Sequence, residues 1–182
     1  MFFALGKLFG KILQKFFIGL FALLLSLDAA MDSGGICYPT EAQVARCIHE
    51  QTGLTLPQGE LLESIDTHSG FHGDGEYFAA YRVADDAFTE TLLQASGWQP
   101  LPLPQDLEIL VYGSCETNSA IAPHLKKASI PKITEGYWYF SDRYDPRSSE
   151  KSRPILTRSS YNFSIAIYDM ETAILYFAAL DT

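Results

Sequence analysis

Residues 161–180, YNFSIAIYDMETAILYFAAL, decide the fold because they contain two strand patterns joined by a turn. From Tyr161 to Ile167, apolar side chains alternate with smaller or polar ones, which is typical of a β-strand. Residues 169–172 then supply a turn of four residues. Residues 173–180 are apolar on both faces, and such a run predicts a central strand that is covered on both sides.

Three further stretches add strands to this hairpin. Residues 136–141 are almost entirely aromatic, and residues 61–65 and 76–83 are also predicted as strands. The second of these two stretches is rich in aromatic side chains. A glycine-rich loop separates them, so a β-hairpin is the economical connection.

Helical patterns lie between the strands. Thr40 and Gln43 form a capping-box pair ahead of an apolar face, and Gly53 marks the end of a helix over residues 40–51. A second helix is predicted over residues 85–95, capped by one of the two aspartates at its start.

Residues 107–112 fit strand alternation and a helical face equally well, so periodicity leaves this segment undecided. Together, the elements predict a single α+β domain over residues 31–182. It is a mostly antiparallel sheet with one or two helices packed on one face. An N-terminal hydrophobic leader helix is expected to precede it.

The composition is that of a folded globular protein, with 47% hydrophobic and 19% charged residues in a chain of 182. The formal net charge of -9 makes the chain acidic. Tight binding to nucleic acid depends on Lys and Arg that displace counterions from phosphates, so we expect no nucleic-acid partner. The three cysteines are too few for a disulfide scaffold and include no CxxC pair.

Residues 1–30 have the anatomy of a signal peptide or membrane anchor. Lys7, Lys11 and Lys15 precede FFIGLFALLLSL at 16–27, an uncharged run of twelve residues. A helix of that length would span about 18 Å, which is short of the roughly 30 Å hydrocarbon core of a bilayer. We therefore expect an extracytoplasmic location, with the protein either secreted or held at the membrane.

Two alternatives stay open at the amino terminus. Cleavage after Ala30 would place Asp28 where a small residue normally stands, so the leader could instead remain as an uncleaved anchor. A true start at Met31 would leave a cytoplasmic domain.

The densest cluster of reactive side chains is DTHSGFHGDG at 66–75. Imidazole and carboxylate groups are natural ligands of zinc, manganese and iron, and the glycines allow the stretch to fold back on itself. The candidate metal ligands are Asp66, His68, His72 and Asp74. In a catalytic version, the histidines and one aspartate would hold a divalent metal such as zinc, and the other aspartate would be the base for a metal-bound water.

The same stretch also has a purely structural interpretation. Gly70 and Gly73 argue against the helix of an HExxH zinc site, and no glutamate lies between the histidines. In this interpretation Asp66 and Asp74 bond to backbone N–H groups of a hairpin loop, and Phe71 fills the core. The sequence leaves both interpretations open.

The run at 66–75 also resembles a D-T-H-x-G-F-H-G-D-G segment of small uncharacterised proteins of Gram-positive bacteria. GYWYFSDR at 136–143 and SYNFSIAIYDMETAILYFAALDT at 160–182 are similar to the same group, so the resemblance covers residues 40–182. It implies a family and no activity, because none is assigned to that group. It favours residues 66–75 as a feature of the fold or of the function.

Two surfaces could serve a binding partner. The aromatic stretch 137–140 could present rings to a sugar or a protein, although alternate rings on a strand point to opposite faces, which favours core packing. A polar stretch predicts a long exposed loop that either contacts a partner or an anion or is simply solvated. We call this stretch the basic loop, after its five basic residues Arg143, Arg147, Lys151, Arg153 and Arg158.

Two functions follow as hypotheses. The first is a non-enzymatic module without a cofactor that binds a protein or a component of the cell envelope, and that contacts the membrane through residues 1–30. The export signal, the acidic charge and the lack of a strong catalytic motif favour it. The alternative is a metal-dependent hydrolase that uses Asp66, His68, His72 and Asp74. The sequence leaves open whether the protein is an enzyme.

Overall fold

A six-stranded β-sheet is the centre of the fold. The computed structural model describes residues 36–68, 73–113 and 130–182. In chain order, the described elements are α1 (Glu41–Thr52), β1 (Gly59–Asp66), β2 (Gly75–Val83), α2 (Phe88–Gln94), β3 (Trp98–Pro100), α3 (Gln105–Tyr112), β4 (Gly136–Asp142), a 3-10 turn (Ile155–Thr157), β5 (Asn162–Asp169) and β6 (Ile174–Asp181). All neighbouring strands are antiparallel, in the order β1-β2-β6-β5-β4-β3.

The closing hairpin lies in the middle of the sheet, as its sequence predicts. β6 pairs with β5 on one side and with β2 on the other, and Leu175 and Phe177 are fully buried. The turn comes one residue later than predicted, because β5 continues through Asp169. The Asp169 carboxylate accepts hydrogen bonds from the Glu171 N–H and the Thr172 hydroxyl, which closes the turn.

Helices cover both faces of the sheet, so the prediction of helices on one face only is wrong. α1 and α2 pack on one face through side chains that include Val44 and Phe88. α3 packs on the opposite face, with Leu107, Leu110 and Val111 buried. Positions 107, 110 and 111 lie on one side of a helix, which is one of the two patterns that periodicity left open for this segment. The helix forms because its apolar side covers the second face of the sheet. The α+β class and the antiparallel sheet are confirmed.

Local side chains determine where the first two helices begin. The predicted capping box is present in α1, where the Gln43 side chain accepts the Thr40 N–H at 2.8 Å. Gly53 ends α1 in the left-handed conformation, with φ of 72°. α2 begins at Phe88, later than predicted, because the Asp85 carboxylate accepts a backbone N–H two residues on at 2.9 Å and forms a turn instead of a cap.

The two edges of the sheet have different protection. β3, a strand that the sequence did not predict, pairs with β4 and ends in Pro100, which an edge strand tolerates because its outer side needs no donor. β1 has a bulge between Leu61 and Glu63. At its end, Asp66 exchanges backbone hydrogen bonds of 2.8 and 2.9 Å with Cys37.

Ile36–Thr182 form one compact unit. The predicted leader at residues 1–30 and the predicted start of the domain at 31 lie outside the described residues. Within the described part of the chain, no helix is both long enough and apolar enough to cross a bilayer.

Candidate functional site

The described members of the predicted site, Asp66, His68 and Asp74, lie at the end of β1 and the start of β2. The strand register places Asp66 opposite Tyr77 and Gly75 opposite Asp181. Paired residues, and residues two apart on a strand, share a face of the sheet. Because Tyr77 and Ala179 pack on the α1 face, Asp66 and Asp181 belong to that face as well.

His68 lies between two carboxylates at this end. Its Nδ1 is 2.6 Å from Asp66 Oδ1, and its Nε2 is 3.1 Å from Asp181 Oδ2. Asp181 Oδ2 also accepts a hydrogen bond of 2.8 Å from Arg143 Nη2. The same Nη2 donates to the backbone carbonyl of Phe163 at 3.1 Å. We call Asp66, His68, Arg143 and Asp181 the ion-pair cluster.

The geometry favours a protonated His68, since only the imidazolium can donate from both ring nitrogens. The hydrogen bond to Asp181 raises the pKa of His68; partial burial opposes this rise, and the contacts with Asp66 add to it. For Asp181, burial is the largest influence and acts to raise the pKa. His68 and Arg143 together outweigh it and lower the pKa of Asp181 below its usual value.

We expect His68 to make the stability of the protein depend on pH. Because the pKa of His68 is raised in the folded state, its contribution is fully present below the usual value of 6.5 and is lost as the pH rises through the raised value. Urea unfolding at about pH 5.5 and about pH 9 spans the range in which histidine titrates. The free energy of unfolding that His68→Gln removes should be larger at the lower pH.

Exposed His49 provides the control, because His49→Gln also removes one imidazole but leaves the ion-pair cluster intact. At about pH 5.5 it should lower the free energy of unfolding less than His68→Gln does. An equal loss in His68→Gln at both pH values would contradict the assignment of a protonated His68.

Only part of the predicted metal set comes together. Asp66 and His68 are in contact, but within the described residues no hydrogen bond or ion pair joins Asp74 to either of them. His72 lies outside the described residues. In the part of the chain that the structure describes, no group of three or more His, Cys, Asp or Glu side chains could hold a metal ion. The metal site stays a prediction.

Sequence reasoning placed Arg143 in the basic loop and did not single out Asp181, so it missed that both residues belong to this site. Asp181 is 113 positions from His68, and the two meet only because β2 and β6 are neighbours in the sheet. The one signal in the sequence is that each residue is a charged side chain at or just beyond the end of a predicted strand, residues 173–180 for Asp181 and 136–141 for Arg143. That signal identifies the end of a strand but not its partner.

Gly75 is required by the close approach of His68. A Cβ atom at position 75 would lie 2.5 Å from the His68 Cα and 2.6 Å from its backbone N. Neither atom could move without shifting the chain itself. His68 therefore packs directly on the first residue of β2.

A cleft of about 710 Å³ opens at the same end of the sheet. Its lining residues Leu180 and Tyr161 belong to the core on the α3 face, so the cleft extends to the side opposite the ion-pair cluster. The volume is within the range of natural ligand sites.

The cleft combines acidic and apolar walls. Exposed Asp74 and buried Glu76 supply carboxylates, and Ile36, Tyr161 and Leu180 supply apolar surface. None of the lining residues that the structure describes is basic. The arrangement suits a ligand with a positive charge and an aliphatic or aromatic portion.

The basic loop pairs with acids close to it. Arg143 pairs with Asp181, Arg147 with Asp145, Lys151 and Arg158 with Asp142, and Arg153 with Glu150. Arg158 is only 6% exposed at its side chain. Each of the five bases is therefore engaged in an ion pair, and four acids are shared among them, although Arg147 stays 90% exposed. A contact of this loop with a partner or an anion stays a prediction.

The aromatic stretch is packed on both faces of the sheet. Trp138 and Phe140 join the core on the α3 face, whereas Tyr137 and Tyr139 pack on the face of α1 and α2. The Tyr139 hydroxyl donates to the Gln51 carbonyl at 3.1 Å. These rings serve the core, as alternation along a strand predicts.

The described cysteines, Cys37 and Cys47, are both free thiols, and Cys115 lies outside the described residues. Burial, followed by Glu50 and Asp66, raises the pKa of Cys47 to about 11. A thiol with this pKa is almost entirely protonated at neutral pH and is a poor nucleophile.

Comparison with known proteins adds no family to this geometry. No family model matches the chain, and the searches of curated proteins and of solved structures found no match. The resemblance at residues 66–75 stays a prediction.

Proposed function

We propose that the protein is a non-enzymatic binding module whose cleft holds a basic segment of a protein partner. The observation that carries this proposal is the cleft wall, where Asp74 and Glu76 lie beside Ile36, Tyr161 and Leu180. Lys and Arg side chains combine an aliphatic stem with a cationic head. They therefore complement a wall that is both acidic and apolar.

Charge on the rest of the molecule supports a basic partner. The net charge of -9 attracts a basic protein over a longer range than the cleft itself and speeds the encounter. This net charge already counts the bases of the basic loop, and each of them is engaged in an ion pair within the fold.

We expect Asp74→Asn to weaken the binding of short peptides in which lysine or arginine stands among apolar residues. Loss of one exposed charge contact should lower the affinity about two- to fivefold. Fluorescence anisotropy with the labelled peptide pool and the full-length protein measures the affinity. The affinity should also fall as salt is added, since exposed charges are screened.

Asp86→Asn is the matched control, because Asp86 is exposed and does not line the cleft. It should leave the affinity nearly unchanged. Equal loss in the two variants would indicate attraction to the acidic surface as a whole and would contradict a specific cleft. Tighter binding of an acidic peptide pool, or of an anionic envelope polymer, would also contradict the proposal.

A metal-dependent hydrolase is a second proposal, supported by one contact. Asp66 bonds to His68 Nδ1 at 2.6 Å, and a carboxylate on one ring nitrogen is a common support for a histidine that binds metal through the other. A metal at Nε2 would have to displace both Asp181, 3.1 Å away, and the proton on that nitrogen. Elemental analysis of the purified protein tests it. Near-stoichiometric zinc, manganese or iron that is lost in the His68→Ala, His72→Ala double variant would support the hydrolase. Folded, metal-free protein would reject it.

We also propose an extracytoplasmic location, secreted or membrane-anchored, on the strength of the basic and apolar pattern in residues 1–30. Cell fractionation and the mass of the mature chain test it. Protein that begins at Met31 and stays in the cytoplasm would overturn this proposal.

A further inference from the structure

The cleft and the ion-pair cluster share two strand ends. Gly75 and Asp181 are opposite each other in the register of β2 and β6, and both line the cleft. Gly75 contacts the ion-pair cluster, and Asp181 belongs to it. Gly75 lies directly beneath His68, and Asp181 accepts hydrogen bonds from His68 and Arg143.

Arg143 ties the end of β6 to β5. Its Nη2 reaches the Asp181 carboxylate at 2.8 Å and the backbone carbonyls of Phe163 at 3.1 Å and Leu180 at 3.5 Å. Leu180 is itself part of the cleft wall. One guanidinium group thus holds the last two residues of β6 from the α1 face, whereas the apolar wall of the cleft lies on the α3 face.

Thr182, the residue after β6, is also part of the cleft wall. The Thr182 N–H donates to the Tyr161 carbonyl at 2.9 Å, and the Tyr161 N–H donates to the Thr182 hydroxyl at 2.7 Å. Both residues line the cleft. These two hydrogen bonds lie beyond the last strand pair, where a sheet frays most easily.

We infer that His68 and Arg143 are positioning residues of the cleft, which hold the ends of β2 and β6 in place so that the wall keeps its shape. The consequence for ligand affinity rests on the proposed function of the cleft. The ordering of the cleft wall does not rest on the proposed function, because it follows from the hydrogen bonds alone.

Amide hydrogen exchange in the full-length protein tests the ordering of the wall. Arg143→Met should reduce the protection of the Thr182 and Tyr161 amides by about tenfold. The Phe177 amide, in the middle of β6, should keep its protection. Arg143→Lys should restore part of the loss, since lysine can still pair with Asp181. Arg147→Met, which breaks the exposed pair with Asp145, is the control and should change neither amide.

The affinity for a basic peptide is a second readout, and here a positioning role and simple electrostatics predict opposite changes. Arg143→Met removes a positive charge, so charge alone predicts tighter binding of a basic peptide. A positioning role predicts weaker binding, by about threefold or more. Tighter binding, unchanged amide protection or an equal loss of protection throughout the sheet would overturn the inference. If the wild-type protein binds no basic peptide, the proposed function fails, and the exchange experiment still decides the positioning role.

Discussion

Phe177→Ala should lower the free energy of unfolding by about 3–5 kcal/mol. Phe177 is fully buried in the centre of β6 and meets Tyr77 edge to face, with ring centroids 5.8 Å apart. Removing the ring deletes buried apolar surface and leaves a cavity between α1, α2 and the sheet. Urea unfolding of the full-length protein, followed by tryptophan fluorescence, measures the loss.

Leu93→Ala is the control for this truncation. Leu93 lies on α2 but is 65% exposed, so its removal should cost less than about 0.5 kcal/mol. A loss below about 1 kcal/mol for Phe177→Ala would contradict a central position for β6, because truncation of a fully buried ring costs several times more.

Arg158→Met should destabilise the protein by about 3 kcal/mol, because it leaves a partly buried carboxylate without its closest cation. Arg158 Nη2 donates to Asp142 Oδ2 at 2.8 Å, and its Nε donates to the Arg153 carbonyl at 3.1 Å. Lys151 Nζ stays 3.2 Å from Asp142 and offsets part of the loss. Urea unfolding again provides the measurement.

Arg147→Met controls for the removal of a guanidinium group from the same loop. Its side chain is 90% exposed, so the loss should be far smaller than that of Arg158→Met. A second control combines Arg158→Met with Asp142→Asn, which removes the uncompensated charge and should recover part of the stability. Equal losses in Arg158→Met and Arg147→Met would show that the loop is solvated, as its composition alone suggests.

The fold was predictable wherever the local sequence pattern favoured a single type of secondary structure. Residues 173–180 are apolar on both faces, as a covered central strand requires, and Thr40 with Gln43 specifies the start of α1 through local hydrogen bonds. Residues 107–112 satisfied both periods, so the choice of a helix for α3 came from packing on the second face of the sheet. The sequence of the segment itself does not show that this face of the sheet is there to be covered.

The candidate site was predictable only where its members are close in sequence. Asp66 and His68 are two residues apart, and the contact between them follows from the loop at the end of β1. Arg143 and Asp181 join them through the order of strands in the sheet, which periodicity does not reveal. The pairing of the basic loop with nearby acids was equally hidden, because composition shows how many charges are present and not which of them meet.

Nitrogen-15 chemical-shift mapping of the full-length protein, titrated with a lysine-containing peptide, tests the cleft most directly. Binding there predicts saturable shifts concentrated at Asp74, Glu76, Tyr161 and Leu180, with little change at Leu93 on α2. Shifts spread over the acidic surface, or confined to residues away from the cleft, would contradict its role as the site for a basic partner.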